Sequence, residues 1–235
     1  MAAAVGPIAD AALPLLSLHQ VSKAYRNLNE TTPVFEDLDL DLHRGEITCL
    51  VGPSGCGKST IISLIAGLMA PDAGQVMFDG QDVGDLSDTQ RADLRAARIG
   101  IVLQTGNLVP FLTAAENVAI AIRLAGAEAS RARVTALLEQ VGLADRSDHL
   151  PRRLSGGEAQ RVALAVAFAN TPDLLLADEA VGQLDSTTAR LVMGTLEQAC
   201  RERGLAVLLV THSLDVAALG SRTVRLAEGR LESTA

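Results

Sequence analysis

The sequence predicts an α/β domain built on a parallel sheet, with an antiparallel β segment ahead of it and a helical subdomain inserted into it. Three observations carry that prediction. Short continuous apolar runs, ITCLV within Glu46–Val51, Leu174–Ala177 and Val207–Val210, have the pattern of strands buried on both faces of a sheet. A glycine-rich turn and then helix-period residues follow the first run, which is the opening of a βαβ unit. Between about residues 88 and 160 helical periodicity takes over. With 235 residues the chain suffices for one such domain with a full core and is short for two large ones.

Taken in order, residues 1–14 read as a flexible Ala-rich extension and the folded domain spans 15–232. From Leu15 to Val21 and from Val34 to Leu42 apolar residues alternate with polar ones, Leu38, Leu40 and Leu42 against Asp37, Asp39 and Asp41, so these stretches form an antiparallel pair. After the glycine turn, Ile61, Ile62, Ile65, Leu68 and Met69 fall on one helix face. The insertion holds helices over Asp88–Arg98, Ala114–Leu124 and Arg131–Val141, interrupted by a strand over Ile99–Leu103. A helix over Thr187–Arg203 separates the last two buried runs, and the chain closes with a strand at Thr223–Leu226 and a hairpin at Glu228 and Gly229.

The composition bounds the function. Hydrophobic residues make up 48% and charged residues 20%, ordinary globular usage. A formal net charge of −8 argues against a sequence-independent grip on nucleic acid or anionic lipid, since both require a basic surface. No apolar run approaches the roughly 18 to 20 residues of a spanning helix, and the N-terminus lacks a basic leader and carries Asp10. The expectation is a cytoplasmic protein that reaches a membrane only by docking on something in it. Cys49, Cys56 and Cys200 lack metal-ligand spacing. Of the twenty basic residues only Lys23 and Lys58 are lysine, so each invites a specific reason.

Lys58 has one. Residues 52–59 read GPSGCGKS, a full match to the phosphate-binding loop pattern, placed between a buried strand and a helix as that loop must be. Gly52, Gly55 and Gly57 let backbone N–H groups curl around phosphate oxygens at a helix start, and Pro53, Ser54, Cys56 and Thr60 complete the candidate cradle. Lys58 is placed to reach the β- and γ-phosphates of a nucleotide and Ser59 to ligate Mg²⁺. The run Leu174–Glu179, LLLADE, ends in paired carboxylates: Asp178 suits Mg²⁺ and Glu179 suits the polarisation of an attacking water.

Leu154–Arg161 reads LSGGEAQR, and with it the chain resembles the ATP-binding subunit of ABC transporters, whose signature is LSGGQ or a close variant. The resemblance covers about residues 15 to 232 and implies the ABC ATPase fold, a P-loop core with an antiparallel β subdomain and a helical one. It also implies ATP hydrolysis with Mg²⁺, by a head-to-tail homodimer in which Ser155, Gly156 and Gly157 of one chain meet the γ-phosphate bound by the other. By the same resemblance Tyr25 stacks on adenine, Gln104 touches Mg²⁺ and the attacking water, Asp185 lies in the loop that crosses the dimer interface, and His212 senses the γ-phosphate. One departure stands out. After Glu179 the chain has AVGQLD, with Ala180 and Val181 where the family usually has Pro followed by Thr or Ser.

Beyond Gln104 the run TGNLVPFLTAAENV resembles the lipoprotein-releasing, macrolide-exporting and FtsE-like branch. That resemblance implies an integral membrane permease of FtsX or MacB type as partner, a place at the inner face of the cell membrane, and no nucleic acid. Two roles follow: an ATPase that drives export or the extrusion of lipids and lipoproteins, or a mechanotransmitter that switches a membrane or cell-wall partner without moving solute. Ala115, Val118, Ala119 and Ile122, at helical spacing, suit either the permease contact or the subdomain's own core.

Overall fold

The computed structural model describes residues 13–27, 30–105, 107–182 and 184–234, so nearly all of the expected N-terminal extension, with Gly106 and Gln183, lies outside the described residues. Strands β1 (Leu16–Asn27) and β2 (Glu30–Leu42) pair antiparallel, with Leu16 opposite Leu42 and Leu18 opposite Leu40. They share a four-stranded sheet, in the order β2-β1-β4-β5, with β4 (Ala73–Phe78) and β5 (Gln81–Asp82), neither of which the periodicity reading anticipated.

The second sheet has six strands in the order β10-β9-β3-β8-β7-β6. Strands β3 (Ile47–Val51), β6 (Ile99–Val102), β7 (Leu174–Asp178), β8 (Ala206–Val210) and β9 (Arg222–Ala227) run parallel, and β10 (Arg230–Thr234) closes one edge as the antiparallel arm of the hairpin. Successive side chains on a strand point to opposite faces. Leu174, Leu176, Leu208 and Val210 accordingly join one core with the antiparallel sheet and helix α1 (Lys58–Ile65). Leu175, Ala177, Val207 and Leu209 join a second core on the other face. This is why the central runs are apolar without a break.

Helix α1 is shorter than its apolar pattern suggested. Gly67 at φ 61° turns the chain out of the helix, leaving Leu68 60% exposed and Met69 beyond the end. Helices α2 (Asp88–Arg98), α3 (Ala114–Leu124) and α4 (Arg131–Gln140) lie where periodicity put them, followed by α5 (Gly156–Ala167), α6 (Ser186–Arg203) and the short α7 (Leu214–Ala217). Within the stretch 88–160, β6 is a strand of the six-stranded sheet, and Leu94 of α2 packs on the first core. Helices α3, α4 and α5 pack on one another. Val118 and Ile122 of α3 are fully buried, with Ala115 and Ala119 packed beside them, so that row forms core.

Charges close the N-terminal ends of the parallel strands. Arg98 donates to Asp173 at 2.5 Å and to Asp79 at 2.7 Å, and Arg44 donates to Asp173 at 3.0 Å. The Arg98 guanidinium also lies 4.8 Å from the centre of the Phe78 ring. The network joins the β4–β5 turn to the starts of β3, β6 and β7.

Candidate active site

The opposite, C-terminal ends of the same strands carry the sequence's chemical residues. After β3 the chain enters the 52–59 loop at a point where only glycine fits, because a Cβ on Gly52 would stand 2.4 Å from the Leu226 carbonyl oxygen. Gly57 leaves the loop at φ 104°, beyond what a side chain tolerates, and a Cβ there would also strike Val34 at 2.4 Å. Gly55, at φ 80°, faces open space. Helix α1 then starts with its first N–H groups free of a side-chain cap, the arrangement that accepts a phosphate.

Lys58 folds back over the loop, donating to the carbonyls of Gly52 at 2.9 Å and Pro53 at 2.7 Å. The Ser59 hydroxyl donates to Asp178 Oδ2 at 2.7 Å, so residues 119 apart in the chain meet as a pair of hard oxygen donors. Such donors suit Mg²⁺. Among the described residues no group of three or more His, Cys, Asp or Glu gathers as a metal site. Were Mg²⁺ bound here, Ser59 and Asp178 would be the side chains to hold it.

Glu179 follows Asp178 at φ 53°, an unfavoured backbone region for a side-chain-bearing residue, and its N–H donates to the Val210 carbonyl. That turn aims its carboxylate at His212, whose Nδ1 lies 2.8 Å from Oε2. Gly182, which the sequence reading passed over, makes room for the pair: a Cβ there would lie 3.0 Å from the same oxygen and 3.1 Å from the Thr211 hydroxyl. Ala180 and Val181, the departure from the usual pattern, are buried in the second core. Gln104 is exposed just past β6, beside β7 in the sheet. Among the described residues no hydrogen bond of Ser59, Asp178, Glu179 or His212 involves it.

Tyr25 is 46% exposed on the antiparallel sheet, its hydroxyl 3.1 Å from that of Thr60. The two enclose one side of an open cleft of about 1090 Å³ that runs from Tyr25 and Phe35 over residues 55–60 to Arg230. A ring held at that distance from the loop can cover a base while the loop holds its phosphates.

Ser155, Gly156, Gly157 and Asp185 gather elsewhere. Ser155 caps α5 in a reciprocal box with Glu158, and Asp185 caps α6 by accepting from the N–H groups of Thr187 and Thr188. The Thr188 hydroxyl first, and then the Thr188 N–H, hold the Asp185 carboxyl below its ordinary range. Ser155, Gly157 and Asp185 share a polar recess that has no residue in common with the cleft over the phosphate loop. Both recesses open to solvent.

Residues 35–182 match the ABC transporter family. Over 221 residues the chain is 42% identical to the lipoprotein-releasing system ATP-binding protein LolD 2 of Caulobacter vibrioides, covering 93% of this chain and 97% of that one. It is 41% identical to the macrolide export ATP-binding/permease protein MacB of Syntrophobacter fumaroxidans, across 94% of this chain and 31% of that longer protein. Among solved structures it resembles the dimeric, post-hydrolysis ATP-binding cassette MJ0796 bound to ADP and Pi, with a TM-score of 0.87 and 36% identity over 93% of this chain and 98% of that one.

Proposed function

Since this chain belongs to the ABC transporter family, we propose that it is the ATP-binding and ATP-hydrolysing subunit of a membrane transporter, dimerising head to tail on ATP to drive a permease of FtsX or MacB type in export or in lipid or lipoprotein extrusion. The observation that carries the dimer is the separation of the two recesses. One chain offers a phosphate loop with Lys58, Ser59, Asp178, Glu179 and His212, and holds its other anion-binding helix start, at Ser155, apart from it. A second copy brings the missing half. Similarity to LolD and MacB supports the choice of permease, and with it a place at the inner face of the membrane. Among the described residues no helix is long and apolar enough to cross a membrane itself.

In this reading Tyr25 stacks on the adenine, and the N–H groups of residues 54–60 cradle the phosphates. Lys58 exchanges its two carbonyl partners for phosphate oxygens, and Ser59 with Asp178 holds Mg²⁺, which when bound neutralises charge on the transferring phosphoryl group. Glu179 accepts a proton from the attacking water, which Gln104 helps to place, and His212 steers the carboxylate through its present contact at 2.8 Å. ATP binding shifts the monomer–dimer equilibrium toward the closed pair, and hydrolysis reopens it. Glu179→Gln tests both halves of the proposal. It is expected to bind ATP, lose turnover and accumulate an ATP-bound dimer visible by light scattering; unchanged turnover sinks the assignment of Glu179, and ATP binding without a dimer sinks the assembly.

A further inference from the structure

The helix start that is to meet the partner's γ-phosphate carries a negative charge of its own. Where LSGGQ has glutamine this chain has Glu158, three residues after Ser155. Its Oε2 accepts from the Ser155 N–H at 2.8 Å and from the Ser155 hydroxyl at 2.9 Å, while Ser155 Oγ accepts the Glu158 N–H at 3.3 Å. The hydroxyl's one proton is thus committed within the capping box. A phosphate oxygen that takes this proton instead would stand on the order of 5 Å from the carboxylate, which loses the bond. The Ser155 N–H first, and then Arg146, hold the Glu158 carboxyl down at about 2, so the charge is present at any physiological pH. Like charges at that separation repel, and the start of α5 offsets only part of the repulsion.

Arg146 supplies the rest. It lies in the turn between α4 and α5, twelve residues ahead of Glu158, and donates Nε to Glu158 Oε1 at 3.0 Å, the oxygen that Ser155 does not use. Its other arm donates to Asp145 at 2.8 Å. Nothing in the sequence reading singled it out.

We propose that Arg146 is a positioning residue for ATP-driven closure: by holding Oε1 of Glu158 it offsets the charge of the signature carboxylate, so that the Ser155 hydroxyl can leave the capping box for the γ-phosphate bound by a second copy of the chain. The inference rests on the head-to-tail reading above and names the residue that makes LSGGE serviceable in it. A staple that only ties the turn to the helix leads to a different result when the carboxylate is removed as well.

The experiment uses the full chain with Glu179→Gln, which keeps ATP intact, and follows dimer formation by light scattering as ATP is raised. Arg146→Ala is expected to raise the ATP concentration for half-maximal dimer about tenfold. Adding Glu158→Gln is expected to bring it back to within about twofold of the parent, because charge and counter-charge leave together. Arg146→Lys, which keeps the charge, is expected to fall between the parent and Arg146→Ala. The proposal is overturned if Arg146→Ala leaves the midpoint unmoved, or if the double variant stays as impaired as the single one. Should Arg146→Ala fail to melt cooperatively, Arg146→Met, which keeps the apolar stem, answers the same question. If the parent binds ATP and never dimerises, the trans contact is absent, the head-to-tail reading fails and this inference falls with it; that result shows before residue 146 is touched.

Discussion

At the N-terminal ends of the parallel strands Arg44, Asp79, Arg98 and Asp173 close on one another, whereas at the C-terminal ends Lys58, Ser59, Asp178, Glu179 and His212 are joined only by contacts that a ligand can replace. Both ends belong to one sheet and hold a similar density of charge. At the first, each carboxylate has a guanidinium and each guanidinium is shared, so nothing is left to offer. At the second, Lys58 rests on two loop carbonyls instead of a carboxylate, Ser59 faces Asp178, and Glu179 occupies an unfavoured backbone region to reach His212. Charge alone does not mark a site; charge with exchangeable partners, next to backbone that only glycine or strain can supply, does.

The largest effect expected from breaking this contrast is on turnover at the C-terminal end. Glu179→Gln should lower ATP hydrolysis about 10²- to 10⁴-fold with an unchanged melting temperature, because the carboxylate acts on a proton and does little for packing. A variant that loses activity and several degrees of stability together would place Glu179 with the structural charges. The reciprocal experiment is Arg98→Ala, which removes the shared member of the network. It should cost about 1 to 2 kcal/mol of stability, the value of charged hydrogen bonds discounted for their partial exposure, with turnover per folded molecule unchanged. Denaturant unfolding and a steady-state assay on the same preparation decide it; a loss of turnover without a loss of stability would join the two ends functionally.

These two ends were legible in the sequence to different degrees, for physical reasons. The loop and the LLLADE strand could be read because phosphate chemistry demands particular residue types at fixed short spacings, whereas His212 was picked out only by the family resemblance. The buried strands could be read because burial on both faces leaves no polar gap. The ion network could not, since its members come from four separate points of the chain and each alone looks like a solvated surface charge. Strand β4 was missed because its first three residues are exposed and only Val76 and Phe78 are buried. Helix α1 was read too long because Leu68 keeps the apolar period while Gly67 has already broken the helix. Glu158 lay in plain view inside LSGGE, but its counter-charge Arg146 sits beyond any local spacing rule.

A smaller effect sharpens the view of the cleft. Tyr25→Ala should raise the KM for ATP about three- to tenfold and move kcat less than about twofold, since stacking contributes to binding and not to the proton transfer. Tyr25→Phe keeps the ring and loses only the hydroxyl contact with Thr60, so its shift should be the lesser of the two. Equal shifts for both variants would assign the effect to that hydrogen bond and remove the base from the account.

The smallest effect separates the two ends by pH. The bond from Arg98 holds the Asp79 carboxyl below its ordinary value of about 3.9. Burial pushes Asp173 upward, but its bonds to Arg98 and Arg44 outweigh that and leave it lowered as well. In the unfolded chain both return to ordinary values and bind protons more readily than in the folded one, so stability must increase with pH across this range. Their contribution is complete above about pH 4 to 5 and disappears as the pH falls through the lowered folded values. Melting temperatures taken from about pH 3 to 6 should therefore rise less steeply in Arg98→Ala than in the parent. Asp72, Glu116, Glu158 and Asp185, whose carboxyls are also held low, keep their share of the slope in both proteins. Parallel curves would mean that the network's carboxylates gain as much from solvent as from arginine, and the closed end of the sheet would then differ from the open end in geometry alone.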